Sequence, residues 1–298
     1  MPPVTFSASA AGASSSAGPS DSTRKTVRPQ PTALDARPPA LFRRPNAALF
    51  TSEALRATAE FAAFAAALPV LRSLPRGDGR PVLVLPGFTA SDTSTEPMRW
   101  LLRQLGYNPF GWKLGVNLGP TPKVIDGLFQ RFETIRRQTG QPVTLIGWSL
   151  GGLYARAIVE RAAHDVRHVI TMGSPFRVAL TDHTNAGALF EALNSRRRQP
   201  AAKALRTDGY RGAPAVASTS IFTKSDGVVP WQSCLDEPAP FSENIEVRGS
   251  HTGLGHNPAA LLVVCDRLRL DDDEFRPFDS ASLDAKRRLL FPIRTHRM

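Results

Sequence analysis

Gly147-Trp148-Ser149-Leu150-Gly151, followed by Gly152, sets one serine among glycines. The run Val143-Thr-Leu-Ile146 before it is short and apolar, as a buried strand is, and a helical pattern begins at Leu150. On so tight a strand-to-helix turn the serine projects from the strand's carboxyl end, beside a helix N-terminus that favours developing negative charge. The turn is crowded and strained, which explains the flanking glycines. A serine hydroxyl alone is a weak nucleophile. It needs a base to take its proton and a carboxylate to orient that base.

Both partners are available downstream. Asp226 stands in Lys224-Ser-Asp-Gly-Val-Val-Pro-Trp231, after the strand-like run Thr219-Ser-Ile-Phe-Thr223. His251 stands in Arg248-Gly-Ser-His-Thr-Gly-Leu254, after Asn244-Ile-Glu-Val247. Each falls just past a strand end, on the edge that carries Ser149. His256, five residues on, is the rival base, and Asp182 and Asp236 are the rival acids. His164 and His168 lie at the wrong end of their strand, and His183 lies in an insertion. Acyl transfer also needs donors for an oxyanion. The backbone amide of Leu150 is one candidate, and that of Phe88, in Pro86-Gly87-Phe88-Thr89, is the other. Phe88, Trp148 and Trp231 would line an apolar substrate pocket. The plainer readings are an incidental serine in a glycine-rich turn, an Asp-Gly turn and a Pro-Gly strand stop.

The elements that must hold these residues alternate along the chain. Strands are predicted at 81–85, 143–146, 166–172, 219–223 and 244–247, with helices near 96–105, 124–137, 150–163 and 258–268. Short, continuously apolar strands separated by helices predict an α/β fold with a mostly parallel central sheet covered on both faces. The stretch 176–214 breaks the rhythm and reads as a lid-like insertion with a helix near 188–194. Residues 52–71 read as an apolar helix with Ser52 as N-cap. The expected organisation is a disordered segment at 1–45, rich in Ser, Ala and Pro, and a helical segment at 46–75. A catalytic domain at 76–275 and a basic tail at 276–298 follow.

Composition excludes little. The 37 Lys and Arg against 26 Asp and Glu leave a net charge of +11, with clusters at Arg196–Arg198 and Lys286–Arg288. No nucleic-acid-binding module accompanies them, so solvated surface is expected first, weak attraction to acidic lipid headgroups second, and no nucleic-acid partner. Two cysteines, Cys234 and Cys265, are too few for a disulfide scaffold and lack metal-ligand spacing. Neither a secretory pattern nor a bilayer-length apolar run is evident, so a cytoplasmic location is expected, with peripheral membrane association as its variant.

Taken together, LPGF at 85–88, GWSLGG at 147–152, GSPF at 173–176, SDGVVPW at 225–231 and GSHTGLGHNP at 249–258 resemble bacterial lipases and esterases of the α/β-hydrolase superfamily. The resemblance runs from Pro81 to Leu268. It implies a Ser149–Asp226–His251 triad, an oxyanion hole at Phe88 and Leu150, two-step cleavage of a small-molecule or lipid ester through an acyl-enzyme, and no metal or other cofactor. Many such lipases carry His-Gly before the oxyanion residue, where this chain has Pro86-Gly87. The same triad would also serve an acyltransferase, and a catalytically silent binding protein or a membrane-surface protein are readings of a different class.

Overall fold

A computed structural model describes residues 42–177, 184–194, 212–270 and 275–291. The expected disordered stretch up to residue 41 lies outside the described residues. So do Asp182, His183, the Arg196–Arg198 cluster and residues 292–298. Six strands form one sheet: β1 Pro81–Leu85, β2 Asn108–Gly111, β3 Val143–Trp148, β4 Val166–Met172, β5 Ala217–Phe222 and β6 Ser242–Glu246. Their order is β2-β1-β3-β4-β5-β6, and all five pairings are parallel.

The central strands read as mostly apolar runs because both of their faces are covered. All five residues of β1 and all six of β3 are buried. Successive side chains point to opposite faces. Val82 and Val84 therefore join a core that includes Ile146 and Ile170, while Leu83 and Leu85 join one that includes Leu145 and Val169. The first core is closed by α2 (Glu53–Leu71), α3 (Asp92–Gln104) and α7 (Pro258–Arg267). The second is closed by α4 (Pro122–Thr139) and α5 (Leu150–Ala162). Ile125, Leu128, Phe132 and Ile135 form the buried stripe of α4, the face that its sequence period predicts. The described residues also include α1 (Ala47–Thr51), α6 (Gly187–Asn194) between β4 and β5, and α8 (Ala285–Leu290).

Three elements differ from the sequence reading. β2 was not foreseen, since its residues Asn-Pro-Phe-Gly are poor strand formers. Among the described residues it is an edge strand paired to β1 alone, a place where proline is tolerated. Ser52 does not cap α2 with its side chain: its hydroxyl donates to the carbonyls of Ala48 and Leu49, and helical structure already begins at α1, capped by Asn46. The helix α2 is long and apolar enough to cross a membrane by length and composition only. Its Phe64, Ala67 and Leu71 nonetheless pack into the core. In this fold it covers the sheet.

The chain enters the sheet at β1, steps out to β2, then crosses back to β3 and continues to β6. The loops leaving β1 and β3 consequently diverge toward opposite faces. In a doubly wound sheet that divergence opens a crevice at the carboxyl ends of the strands.

Candidate active site

Ser149 occupies the turn between β3 and α5 with φ 53° and ψ −121°. A non-glycine residue at positive φ stores about 1–3 kcal/mol of strain and persists only where its surroundings fix it. Here the Ser149 amide donates to the Met172 carbonyl (2.8 Å) and the Gly152 amide donates to the Ser149 carbonyl (3.0 Å). Close approach explains the glycines: a Cβ on Gly151 would meet the Leu85 carbonyl, and one on Gly152 would meet the Ser174 side chain.

His251 and Asp226 come to this turn from the loops after β6 and β5. His251 Nε2 lies 3.0 Å from Ser149 Oγ, and His251 Nδ1 lies 2.6 Å from Asp226 Oδ2. An ionised carboxylate only accepts, so Nδ1 carries the proton and Nε2 is free to accept from the serine. Asp226 is itself fixed. Its other oxygen, Oδ1, accepts from the Val228 (2.8 Å) and Val229 (2.7 Å) amides. Asp226 and His251 are only 3% and 5% exposed. Burial works against a charged His251, but the Asp226 carboxylate and, behind it, Glu53 outweigh burial and raise its pKa above the usual imidazole value.

The rivals are engaged elsewhere. His256 donates through Nε2 to the Ala57 carbonyl (2.9 Å) and sets its ring edgewise against Phe61. His168 is buried against Thr219 Oγ1, and burial, reinforced by Arg267, pushes its pKa down to about 3. His164 sits on the surface beside Asp165. Asp236 is paired with Arg156 in a buried contact, where Arg156 also stacks on Phe176.

A narrow cleft opens at Ser149, walled by Phe88, Leu150, Pro175, Phe190, Val228 and Val229. Phe190 comes from α6, inside the expected insertion, and its ring lies 5.2 Å from that of Phe88. The Phe88 and Leu150 amides donate to no other group among the described residues. Trp148 and Trp231 were expected to touch substrate, but neither lines this cleft. The Trp148 side chain is turned into the core, where Nε1 donates to the His251 carbonyl (3.1 Å). Trp231 stacks on Phe222 (5.4 Å between ring centres).

Two supports were missed in the sequence. Asn117, fully buried, braces the loop after β1. Its Nδ2 donates to the Pro86 carbonyl (2.9 Å), its Oδ1 accepts from the Tyr154 hydroxyl (3.0 Å), and its backbone exchanges hydrogen bonds with Thr89 and Ala90. Glu53 of α2 is the second. It lies within hydrogen-bond reach of both the acid loop and the histidine loop.

Residues 115–296, well over half the chain, match the Alpha/beta hydrolase family. The chain belongs to that family. Among solved structures, the chain is similar to lipase B of Aspergillus fumigatus at 18% identity and a TM-score of 0.55. The match covers 72% of this chain and 58% of the fungal one, so the chain spans little more than half the length of that relative. It is also similar to the mature lipase BlEst2 of Bacillus licheniformis, at 17% identity and a TM-score of 0.50, over 66% of this chain and 95% of the other. At these identities the likeness speaks for the fold. No curated protein matches the chain in sequence.

Proposed function

We propose that this α/β-hydrolase cleaves carboxylic esters with Ser149 as nucleophile, His251 as general base and acid, and Asp226 as the carboxylate that orients it. The observation that carries the reading is the unbroken run Ser149 Oγ, His251, Asp226, at 3.0 and 2.6 Å, ending on a strained turn at the mouth of an apolar cleft. A buried, hydrogen-bonded chain of this kind on a positive-φ serine has little purpose as packing.

In the first step Ser149 Oγ attacks the ester carbonyl carbon and its proton passes to His251 Nε2. The Phe88 and Leu150 amides receive the oxyanion, and Asp226 steadies the imidazolium. Nε2 then gives the proton to the departing alkoxide, and the alcohol leaves an acyl group on Ser149. Water attacks that acyl group, loses its proton to Nε2, and the acid is released as the serine is restored. The cleft walls are Phe88, Phe190, Val228 and Val229, so an apolar acyl group is the substrate class that fits.

His251 must be neutral to accept the proton. Its pKa is raised, so kcat/KM rises with pH through an inflection above the usual imidazole value. A fluorophosphonate probe is expected to label Ser149. Ser149→Ala and His251→Ala should each cut turnover of a p-nitrophenyl ester by about 10⁴- to 10⁶-fold. A panel of acyl chain lengths then sizes the cleft. An active, labelled Ser149→Ala variant sinks the reading.

A further inference from the structure

Nine residues separate the helix α2 from the first strand of the sheet, yet it meets the two loops that carry Asp226 and His251. It does so with charged side chains. Glu53 Oε1 accepts from the Gly227 amide (2.9 Å) and from the His251 amide (3.1 Å), and Oε2 accepts from the Thr252 amide (2.8 Å). Arg56 closes the arrangement: Nη2 pairs with Glu53 Oε1 at 2.8 Å, and Nη1 donates to the Ser225 carbonyl (2.9 Å). One turn on, Glu60 accepts from the Ser250 amide (2.6 Å) and from Asn257 Nδ2 (2.8 Å). Glu53 is 5% exposed. Burying a carboxylate is costly unless hydrogen bonds and a counter-charge compensate, and here three amides and a guanidinium do so. Burial alone would raise the carboxyl, but those amides and His251 hold it below its usual range.

We propose that Glu53 is a positioning residue for the base: it ties the backbone of the acid loop to that of the histidine loop and holds Asp226 and His251 in register with Ser149. The inference rests on the assignment of His251 as base. Glu53 reaches neither the cleft nor Ser149, so it acts through the two loops and through its charge. Among the described residues, the charged groups that bond to His251 or to the backbone beside it are Asp226 after β5 and Glu53, Arg56 and Glu60 from α2, while Arg248 and His256 are the charged or titratable residues of its own segment. Of these, Asp226 and Glu53 are the anions that favour the imidazolium. Two effects follow. Losing the tie lets His251 drift, and an error of about 1 Å in a catalytic group can cost on the order of 10²-fold. Losing the charge lowers the His251 pKa.

Glu53→Gln separates this role from plain packing. The amide keeps the shape but sets its NH₂ against an N–H donor of the loops and removes the charge. With the full chain and a p-nitrophenyl ester, kcat is expected to fall about 10- to 100-fold while KM stays within about twofold. The acid-side inflection of kcat/KM should move to lower pH. Glu53→Asp keeps the charge and shortens the reach, so it should lower kcat and leave the inflection in place. Wild-type kcat with an unmoved inflection in Glu53→Gln overturns the proposal, and so does a variant that loses only thermal stability. If Glu53→Gln does not fold, Glu53→Asp decides: lowered kcat at constant inflection supports the proposal, and wild-type kcat overturns it. Ser149→Ala and His251→Ala run alongside. If they stay active, the assignment of the base has failed. If they are dead and Glu53→Gln is unimpaired, only the role of Glu53 has failed.

Discussion

The two halves of the candidate site are held in different ways. The nucleophile half is local: β3, the glycine-flanked turn and α5 lie within about twenty residues, and the turn's own backbone sets φ and ψ at Ser149. The base half is assembled from afar. Asp226 and His251 are 25 residues apart in sequence, and Glu53, which joins their loops, is 198 residues from His251. A short motif can encode the first kind of geometry, because steric exclusion acts between near neighbours. The second kind depends on which element happens to pack over the loops. Substitutions should therefore fail differently in the two halves: abruptly and sterically at the turn, and gradually, through charge and register, around His251.

The largest break expected within the base half is Asp226→Asn. The side chain keeps its shape and can still accept from the Val228 and Val229 amides, but it no longer supplies the anion at His251 Nδ1. The wrong tautomer becomes favoured, and kcat should fall by about 10⁴-fold, as happens on this change in a Ser-His-Asp site. Steady-state ester kinetics at fixed pH check it. A loss under tenfold would mean that Asp226 only shapes its turn.

In the nucleophile half, Gly151→Ala is the sharper counterpart. Its Cβ would fall on the Leu85 carbonyl, which belongs to β1 and has no room to retreat. Such overpacking costs about 1–3 kcal/mol and sometimes more. It would also push β1 and the Phe88 loop away from Ser149, so a fall of about 10²-fold in kcat/KM, alongside a lowered Tm, is expected. Gly152→Ala would meet the buried Ser174 Oγ and Cβ, of which only the hydroxyl can rotate away, so a loss of the same kind is expected. A Gly151→Ala variant with wild-type kinetics would show that the turn has slack and that its glycines are not sterically required.

That contrast also explains how much was legible. The strand β1 is a continuous apolar run, β3 and β4 are mostly apolar, and Ser149, Asp226 and His251 stand shortly after predicted strands. Pattern and order set them at one edge of the sheet, where the structure brings their side chains within hydrogen-bond distance. The edge strand β2 was hidden because Asn108, Pro109 and Gly111 carry no strand signal; β1 alone pairs with them. That Trp148 does not line the cleft has a simpler reason. Alternation along β3 turns its side chain to the face of Ile146, the buried side, and an aromatic beside a nucleophile looks like a pocket wall when that parity is ignored. Glu53 was hidden because its helix reads as apolar throughout. The signal was present all the same: Glu53, Arg56 and Glu60 share a stripe with the buried Ala57 and Phe64, while Leu55 and Phe61 lie on the exposed side. In this half-turned stretch the charges face inward. The surface they cover consists of loop backbone with free N–H groups, which carboxylates satisfy and leucines would not.

Asn117 tests whether remote bracing also matters on the nucleophile side. It holds the Pro86 carbonyl and the Tyr154 hydroxyl in a fully buried position. Asn117→Ala would strand both groups, at about 1–3 kcal/mol in stability, readable as a lower denaturation midpoint. The backbone bonds to Thr89 and Ala90 survive the change, so the loop keeps its course but loses stiffness. A roughly tenfold loss in kcat is expected, with KM little altered. An unchanged kcat would place the Phe88 loop with the locally encoded parts.

The smallest effect should come from Trp148→Phe. Phenylalanine keeps part of the buried apolar contact, leaves a small cavity and removes the Nε1 donor to the His251 carbonyl, a bond worth about 1 kcal/mol. Glu53 and Glu60 still grip the amides on either side of that carbonyl. If the histidine loop is fixed chiefly by the carboxylates of α2, kcat should change by no more than about threefold and the acid-side inflection should stay in place, because no charge is lost. A Trp148→Phe variant as impaired as Glu53→Gln would reverse the ranking. The histidine would then be held mainly by the strand that carries the serine, and both halves of the site would answer to β3.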